Sequence, residues 1–582
     1  MKKINNVDEL LLFIEKNNSN PRALCELDVM GEWQGISYPT MVAQVRGIAA
    51  ALKNMGLKKG DRVALMSPPS IAWTVTDLGI MLAGCVSVPL FANISEENFL
   101  FEINQAEALV IFVSKPWGHQ LANKYKERFQ QIVSLDSPSF YKHELLFKDL
   151  VNQQTTEVFD PLSSDDLASI VYTSGTTSVP KGVELTHLNL TCEVANSIQL
   201  TGWNIDDRLL LFLPLSHIFG RLVNLTMLYG GGSVYYLQDV QQFVPTCKVV
   251  QPTSCIFVPR LLEKMIQSID QKIENLPTLQ KHIGRWAFHL AFKEHLSWFD
   301  KCLQPLADLL FYRKIRDLLG GKIKIALTGS ARANPNHLIF FNNVGIPLIE
   351  GYGLTEACPA IANTIFSSKI GSIGLPLPEV EVKLSPTGEL LLKGPLVMRG
   401  YYKAPELTKH ALDEEGWLHT GDICTQEKDG NFTFVGRASE MCKTSYGDFV
   451  DLSKLETELR ALPFVDYAIV LAENRPYASA LLFPDLEALA RIKERLGMAE
   501  ISTAEILRLD FVRKELDRAL EKINARLNKG ERVKSYRFVT NAATVEGGEL
   551  SPSFKLRREF THNKYKRLIE EMYPVNLMAF DL

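Results

Sequence analysis

The sequence predicts an α/β protein with a large N-terminal domain of layered sheets that includes a β-rich part, followed by a small α+β domain. Three observations carry this expectation. Up to about residue 260, short apolar runs alternate with helix-length amphipathic segments, the rhythm of parallel sheets covered on both faces. Between Ile370 and Val435 the runs shorten and turn residues multiply, as in SPTGEL and KDGNFTFVG, which reads as hairpins. Beyond Gly436 about 145 residues remain, ample for an independent domain. The expected bounds are 1–436 for the large domain, with its β-rich part near 370–435, then 437–439 as a connector and 440–582 for the small domain.

Taken in order, the chain starts with Asn6 followed by Glu9, a capping-box pattern for a soluble helix, and its apolar stretch Leu10–Phe13 is too short for a signal peptide. RVALMS (62–67), CVSVPLF (85–91), ALVIFVS (108–114), QIVSLD (131–136) and SCIFVP (254–259) read as buried strands. The long apolar region Ile71–Ala92 is broken by Asp77, Gly79, Gly84 and Pro89, so it reads as a buried helix followed by a strand, not a membrane span. Residues 261–320 are helix-forming, and Trp286, Phe288, Phe292, Trp298 and Phe299 recur at helical spacing expected of core residues. KIKIALTGS (322–330) and PLIEGYGLTE (347–356) each read as a strand ending in a small-residue loop. Near the end, Leu509, Val512, Leu516, Leu520, Ile523 and Leu527 predict an amphipathic helix, with Gly530 as its C-cap.

The formal net charge of -4 gives no overall attraction to nucleic acid. Nine scattered cysteines without a C-x-x-C pair argue against a disulfide framework or a zinc site, and for reduced thiols in the cytoplasm. The protein is expected to be soluble, with contact at the inner face of a membrane left open, as is its oligomeric state.

Thr173–Gly182, TSGTTSVPKG, follows the apolar run Leu167–Tyr172 and precedes a segment expected to turn helical near Leu185. Its hydroxyls, backbone N–H groups and single cation suit an anion, phosphate above all, although its spacing is not that of a Walker loop. The stretch resembles the phosphate loop of the adenylate-forming superfamily, which includes acyl-CoA synthetases, luciferases and peptide-synthetase adenylation domains. Other signatures follow in the family's order: LPLSHIFGR (213–221), GYGLTE (351–356), WLHTGD (417–422), GRASEMCKTSYGDFVDLSKLE (436–456) and SPSFKLRR (551–558). The first 150 residues and the helical stretch near 261–320 look most like the long-chain fatty acyl branch.

The resemblance implies ATP-dependent activation of a fatty acid through acyl-AMP, then transfer to the thiol of coenzyme A. Thr173, Ser174, Gly175, Thr176, Thr177 and Lys181 would wrap the β- and γ-phosphates. Glu356 would hold Mg²⁺ and Thr355 would bond the α-phosphate. Tyr352, between Gly351 and Gly353, would stack on adenine against Gly329, Ser330 and Ala331. Asp422 would accept the ribose hydroxyls, which suits an ionised carboxylate, with Arg437 beside it. His217 would position the acyl carboxylate, and Lys555 would serve the adenylation transition state. The small domain would be a mobile lid turning about 437–439 near Ser439, bringing the loop around Gly447 to the pantetheine tunnel.

Two other readings stand beside this one. Adenylation could end at acyl-AMP or deliver the acyl group to an acyl carrier protein. A catalytically weakened lipid- or nucleotide-binding protein is the third reading, motivated by three departures from the family pattern: Ser178 for a usual glycine, Ser439 for a usual Asp or Lys, and Tyr446 for a usual glycine.

Overall fold

The computed structural model describes residues 4–154, 159–173, 179–364, 368–498, 500–528, 530–551 and 554–573. Two compact units emerge. The first is built from the chain up to Thr173, from Pro180 to Thr420 and from Thr425 to Phe434; the second takes Gly421–Cys424 and the chain from Val435 onward.

The first unit carries two large sheets. One has eight strands in the order Gly400–Tyr401, Lys181–Thr186, Leu167–Thr173, Val86–Leu90, Arg62–Met66, Val110–Val113, Gln131–Ser134 and Leu145–Leu146. It is parallel from Leu167–Thr173 onward, and its central strands are buried along their whole length, as the apolar runs require. The other has nine strands, with Arg208–Leu211, Ser233–Tyr236, Ser254–Phe257, Ile325–Thr328 and Leu348–Leu354 as its parallel centre.

Helices Ile71–Leu82 and Ile218–Gly230 lie between the two sheets and are apolar almost all round, the mark of a helix with no solvent face. Their few polar groups find one another. Arg221 donates to both carboxylate oxygens of Asp77, at 2.8 and 2.7 Å, and to the Ser169 hydroxyl at 2.7 Å. Ser87 donates to Asp77 at 2.6 Å. Toward the nine-stranded sheet, Thr74, Asn224 and Tyr236 bond to each other. Arg221 and Asp77 are each 1% exposed, so this ion pair joins two helices and the strand Leu167–Thr173 in a dry layer.

A four-stranded sheet follows, containing Glu381–Leu384, Glu389–Lys393, Leu418–Gln426 and Phe432–Arg437. In the second unit a three-stranded sheet pairs Val465–Leu471 antiparallel and Val533–Phe538 parallel to Ala478–Pro484. Its strands alternate between two cores: Ala468, Val470, Ala480 and Leu482 face one, while Ile469, Leu471, Leu481 and Phe483 face the other.

The mixed α/β fold is as expected, and five local expectations need correction. The segment after Pro180 is a strand, Lys181–Thr186, paired antiparallel with Leu167–Thr173; the helix begins only at His187, where Thr186 and Asn189 close a capping box. GYGLTE is not a loop either. The strand Leu348–Leu354 turns at Thr355 and Glu356 into Ala357–Ala362, with Leu354 opposite Ala357. At the N-terminus Asn6 does cap helix Val7–Asn17, but Glu9 returns its bond to the amide of Asn5 rather than Asn6. Helix Asp510–Asn524 ends at Ala525, not at Gly530, whose missing side chain admits Asp448: a Cβ there would lie 2.3 Å from that residue's own Cβ. Finally, Trp298 and Phe299 are not core residues, being 78% and 63% exposed.

Candidate functional site

The strand Lys181–Thr186 lies between Leu167–Thr173 and Gly400–Tyr401, with Thr173 opposite Lys181 and Tyr401 opposite Val183. This pairing sets three polar side chains together. The Lys181 ammonium stands 5.5 Å from the centre of the Tyr401 ring, and the Tyr401 hydroxyl donates to Glu356 Oε1 at 2.8 Å. A cation over a phenol face and a carboxylate on the phenol edge are both favourable, because the ring is negative on its face and the hydroxyl is a donor. Burial and the neighbouring Glu356 charge hold the Tyr401 phenol well above its ordinary range, so it stays a donor. Ser174, Gly175, Thr176 and Thr177, together with Ser178, lie outside the described residues.

Glu356 is fixed by its place in the hairpin turn, and its backbone carbonyl also accepts the Met398 amide at 2.8 Å. Thr355 is its turn partner. A few residues upstream, Tyr352 is 9% exposed and its ring lies 6.4 Å from that of Phe434. Gly329 packs against this strand so closely that a Cβ would meet the Gly351 carbonyl at 3.0 Å, and Gly353 is equally tight against Ala357. Ser330 holds a left-handed φ of 66°, which turns the chain sharply after the buried strand Ile325–Thr328 and leaves Ser330 and Ala331 exposed.

Beneath this turn sits Glu350, 8% exposed, with its Oε1 accepting the Ala333 amide at 3.2 Å. Burial pushes its carboxyl up to about 7, against the opposing pull of that amide and of Arg332. His217 caps the helix Ile218–Gly230, its Nδ1 accepting the Phe219 amide at 3.2 Å, so this nitrogen carries a lone pair and not a proton.

The remaining sequence candidates belong to the second unit. Asp422 is 2% exposed, and the Arg437 guanidinium approaches its Oδ1 at 3.4 Å. Gly447 has φ +86° in the turn joining Met441–Lys443 to Phe449–Asp451, with Tyr446 beside it 79% exposed. Lys555 is tied to Ser551 through its backbone: its amide donates to Ser551 Oγ at 3.1 Å, and the Ser551 amide donates to the Lys555 carbonyl at 2.8 Å. Its side chain is exposed. The structure thus brings Lys181 and Glu356 together around Tyr401, and Tyr352 against Gly329. Asp422 with Arg437, the Gly447 turn and Lys555 are three separate features of the second unit.

Sequence reasoning missed Tyr401 and Glu350. A glycine followed by two tyrosines within the hairpin region was the available signal for the first, and a lone acid inside an apolar strand for the second.

The AMP-binding enzyme family matches residues 14–402, and the AMP-binding enzyme C-terminal domain matches residues 443–576. A long-chain-fatty-acid–CoA ligase, FadD15 of Mycobacterium bovis, is 29% identical over 564 residues, covering 93% of each chain. Long-chain-fatty-acid–CoA ligase 1 of Homo sapiens is 28% identical over 587 residues, covering 93% of this chain and 82% of its own. Among solved structures, the adenylation domain of a carboxylate reductase from Mycobacterium chelonae superposes with a TM-score of 0.79 at 23% identity, covering 98% and 92% of the two chains.

Proposed function

Because the chain belongs to the AMP-binding enzyme family, we propose that it is an ATP-dependent fatty acid–CoA ligase acting on long-chain acids. Its relatives carry that name over nearly their whole length, and the arrangement around Tyr401 is the observation that carries the reading onto this chain's own residues. Lys181 meets the β- and γ-phosphates of ATP together with Thr173, Ser174, Gly175, Thr176 and Thr177. Tyr352 and the Gly329–Ser330–Ala331 turn hold adenine, and Asp422 with Arg437 holds ribose.

Glu356 suits Mg²⁺. Among the described residues no cluster of three or more His, Cys, Asp or Glu side chains forms a metal cage. A single carboxylate facing the phosphates is how a protein supports a cation that shares its shell with nucleotide oxygens and water. When bound, the ion neutralises phosphate charge; Tyr401 aims the Glu356 carboxylate and keeps Lys181 beside it.

In the first half-reaction a carboxylate oxygen of the fatty acid bonds to the α-phosphorus, and the bond to the pyrophosphate oxygen breaks. Lys555 stabilises the charge gathered there, and Thr355 donates to the α-phosphate. His217 positions the acyl carboxylate. In the second, the coenzyme A thiolate bonds to the acyl carbon and AMP leaves with the bonding pair of the acyl–oxygen bond. The small domain, residues 440–582, alternates between half-reactions about 437–439, with the Gly447 turn serving the thioester step.

A carrier-protein thiol is the alternative acceptor to coenzyme A, and contact with a membrane surface is compatible with either. Mass spectrometry of products formed with coenzyme A and acyl carrier protein side by side tests the choice: acyl-CoA is expected, and acyl carrier product alone would reassign the acceptor.

Two further outcomes follow from the geometry. Tyr401→Phe loses the bond to Glu356 but keeps the ring under Lys181, so the concentration of Mg²⁺ giving half-maximal rate should rise about tenfold or more, with thermal stability little changed. Burial holds the Glu350 carboxyl up to about 7. A raised carboxyl stabilises the fold fully below its ordinary value and loses that contribution as pH climbs through the folded one. The thermal midpoint should therefore fall as pH rises from the ordinary carboxylate range through about 7, and Glu350→Gln should flatten that fall.

A further inference from the structure

Residues 298–318 form one continuous helical rod, Trp298–Ala307 in α form, Asp308–Tyr312 as a π turn and Arg313–Leu318 in α form again. Its inner side is anchored. Ala307, Tyr312 and Ile315 are buried, and the Tyr312 hydroxyl donates to the Ala287 carbonyl at 2.9 Å. Ser297 and Asp300 close a capping box at its start, and Asp308 pairs with Arg316 along its length.

The outer side is apolar as well. Trp298, Cys302, Leu306, Leu309 and Leu310 follow spacings of three and four residues and so share one face, with Phe299 at its edge. All six are exposed, Leu309 at 64%. A soluble helix ordinarily turns such a stripe inward, so a well-anchored helix that shows it to solvent marks an interaction surface.

Charge identifies the partner. Asp300 is taken by Lys293 and Ser297, and Asp308 by Arg316. Over 293–322 this leaves exposed Lys301, Arg313, Lys314 and Lys322 against Glu294 and Asp317. An apolar stripe led by tryptophan, with excess cations around it, matches a helix lying in the headgroup layer of an anionic bilayer. We propose that the face of residues 298–310 docks the protein on anionic lipid, inserting Trp298 and Leu309 among the acyl chains. The surface is argued independently of the ligase reading, and vesicle binding reports on it without any turnover.

The test is co-sedimentation of the full chain with vesicles of phosphatidylcholine, with and without phosphatidylglycerol. Binding is expected to the mixed vesicles, to weaken with added salt, and to fall about tenfold or more in the double variant Trp298→Ser, Leu309→Ser. Both side chains are exposed, so the thermal midpoint and turnover of a water-soluble medium-chain acid should stay as in the parent. Absence of wild-type binding, or equal binding by the variant, would overturn the proposal. So would a wild-type dimer that the double variant splits while neither binds vesicles, since a second copy would then cover the face.

Discussion

Lys555→Ala is expected to lower fatty-acid-dependent release of pyrophosphate by on the order of 10²–10³-fold, the loss that follows removal of one preorganised donor from a charged transition state. The thioester step, started from supplied acyl-AMP and coenzyme A, should keep most of its rate. The distinction matters because Lys555 sits in a basic stretch where the ordinary role is structural. Arg558 pairs with Glu456 at 2.6 Å and bonds the Val470 carbonyl, and Lys564 pairs with Glu549 at 2.6 Å. Those cations hold the second unit together. Replacing them should lower its stability more than the rate of adenylation. Lys555, by contrast, is clamped through its backbone to Ser551, which fixes where its exposed side chain begins. Single-turnover measurement of the two half-reactions separates these outcomes, and unchanged pyrophosphate release in Lys555→Ala would remove the lysine from the mechanism.

The second large effect concerns the layer between the two sheets. Arg221→Met leaves Asp77 charged, 1% exposed and without its bidentate partner, and breaking a buried pair from one side costs about 3–5 kcal/mol. The first unit should unfold at a clearly lower urea concentration. Combining Asp77→Leu with Arg221→Met removes both charges and should recover much of the loss, because the pair's own attraction is largely offset by its desolvation. The pair's link to Ser169, on the strand that leads to Thr173, predicts that Arg221→Met also raises the KM for ATP. A double variant as unstable as the single one would show that Arg221 acts through packing instead.

What the sequence disclosed divides along physical lines. The parallel centres of both sheets were legible because strands buried on both faces must be apolar throughout, as Val86–Leu90 and Val110–Val113 are. The strand Lys181–Thr186 was not. It is half polar, and only its pairing with Leu167–Thr173 and Gly400–Tyr401 makes it a strand. Thr186 and Asn189 carry the capping pattern that marks the true helix start. Tyr401 was hidden for a related reason: it reaches Lys181 and Glu356 only through strand pairing between segments far apart in sequence. Trp298 and Phe299 followed a helical period that cannot say which side of a helix faces solvent.

The central claim is that the carboxylate is activated as an adenylate before any thiol takes part. Exchange of labelled pyrophosphate into ATP, measured with a long-chain fatty acid and Mg²⁺ but without coenzyme A, tests it most directly. The account predicts exchange that depends on the fatty acid and is lost in Lys555→Ala. Formation of acyl-CoA without such exchange, or release of ADP and phosphate in place of AMP and pyrophosphate, would contradict it.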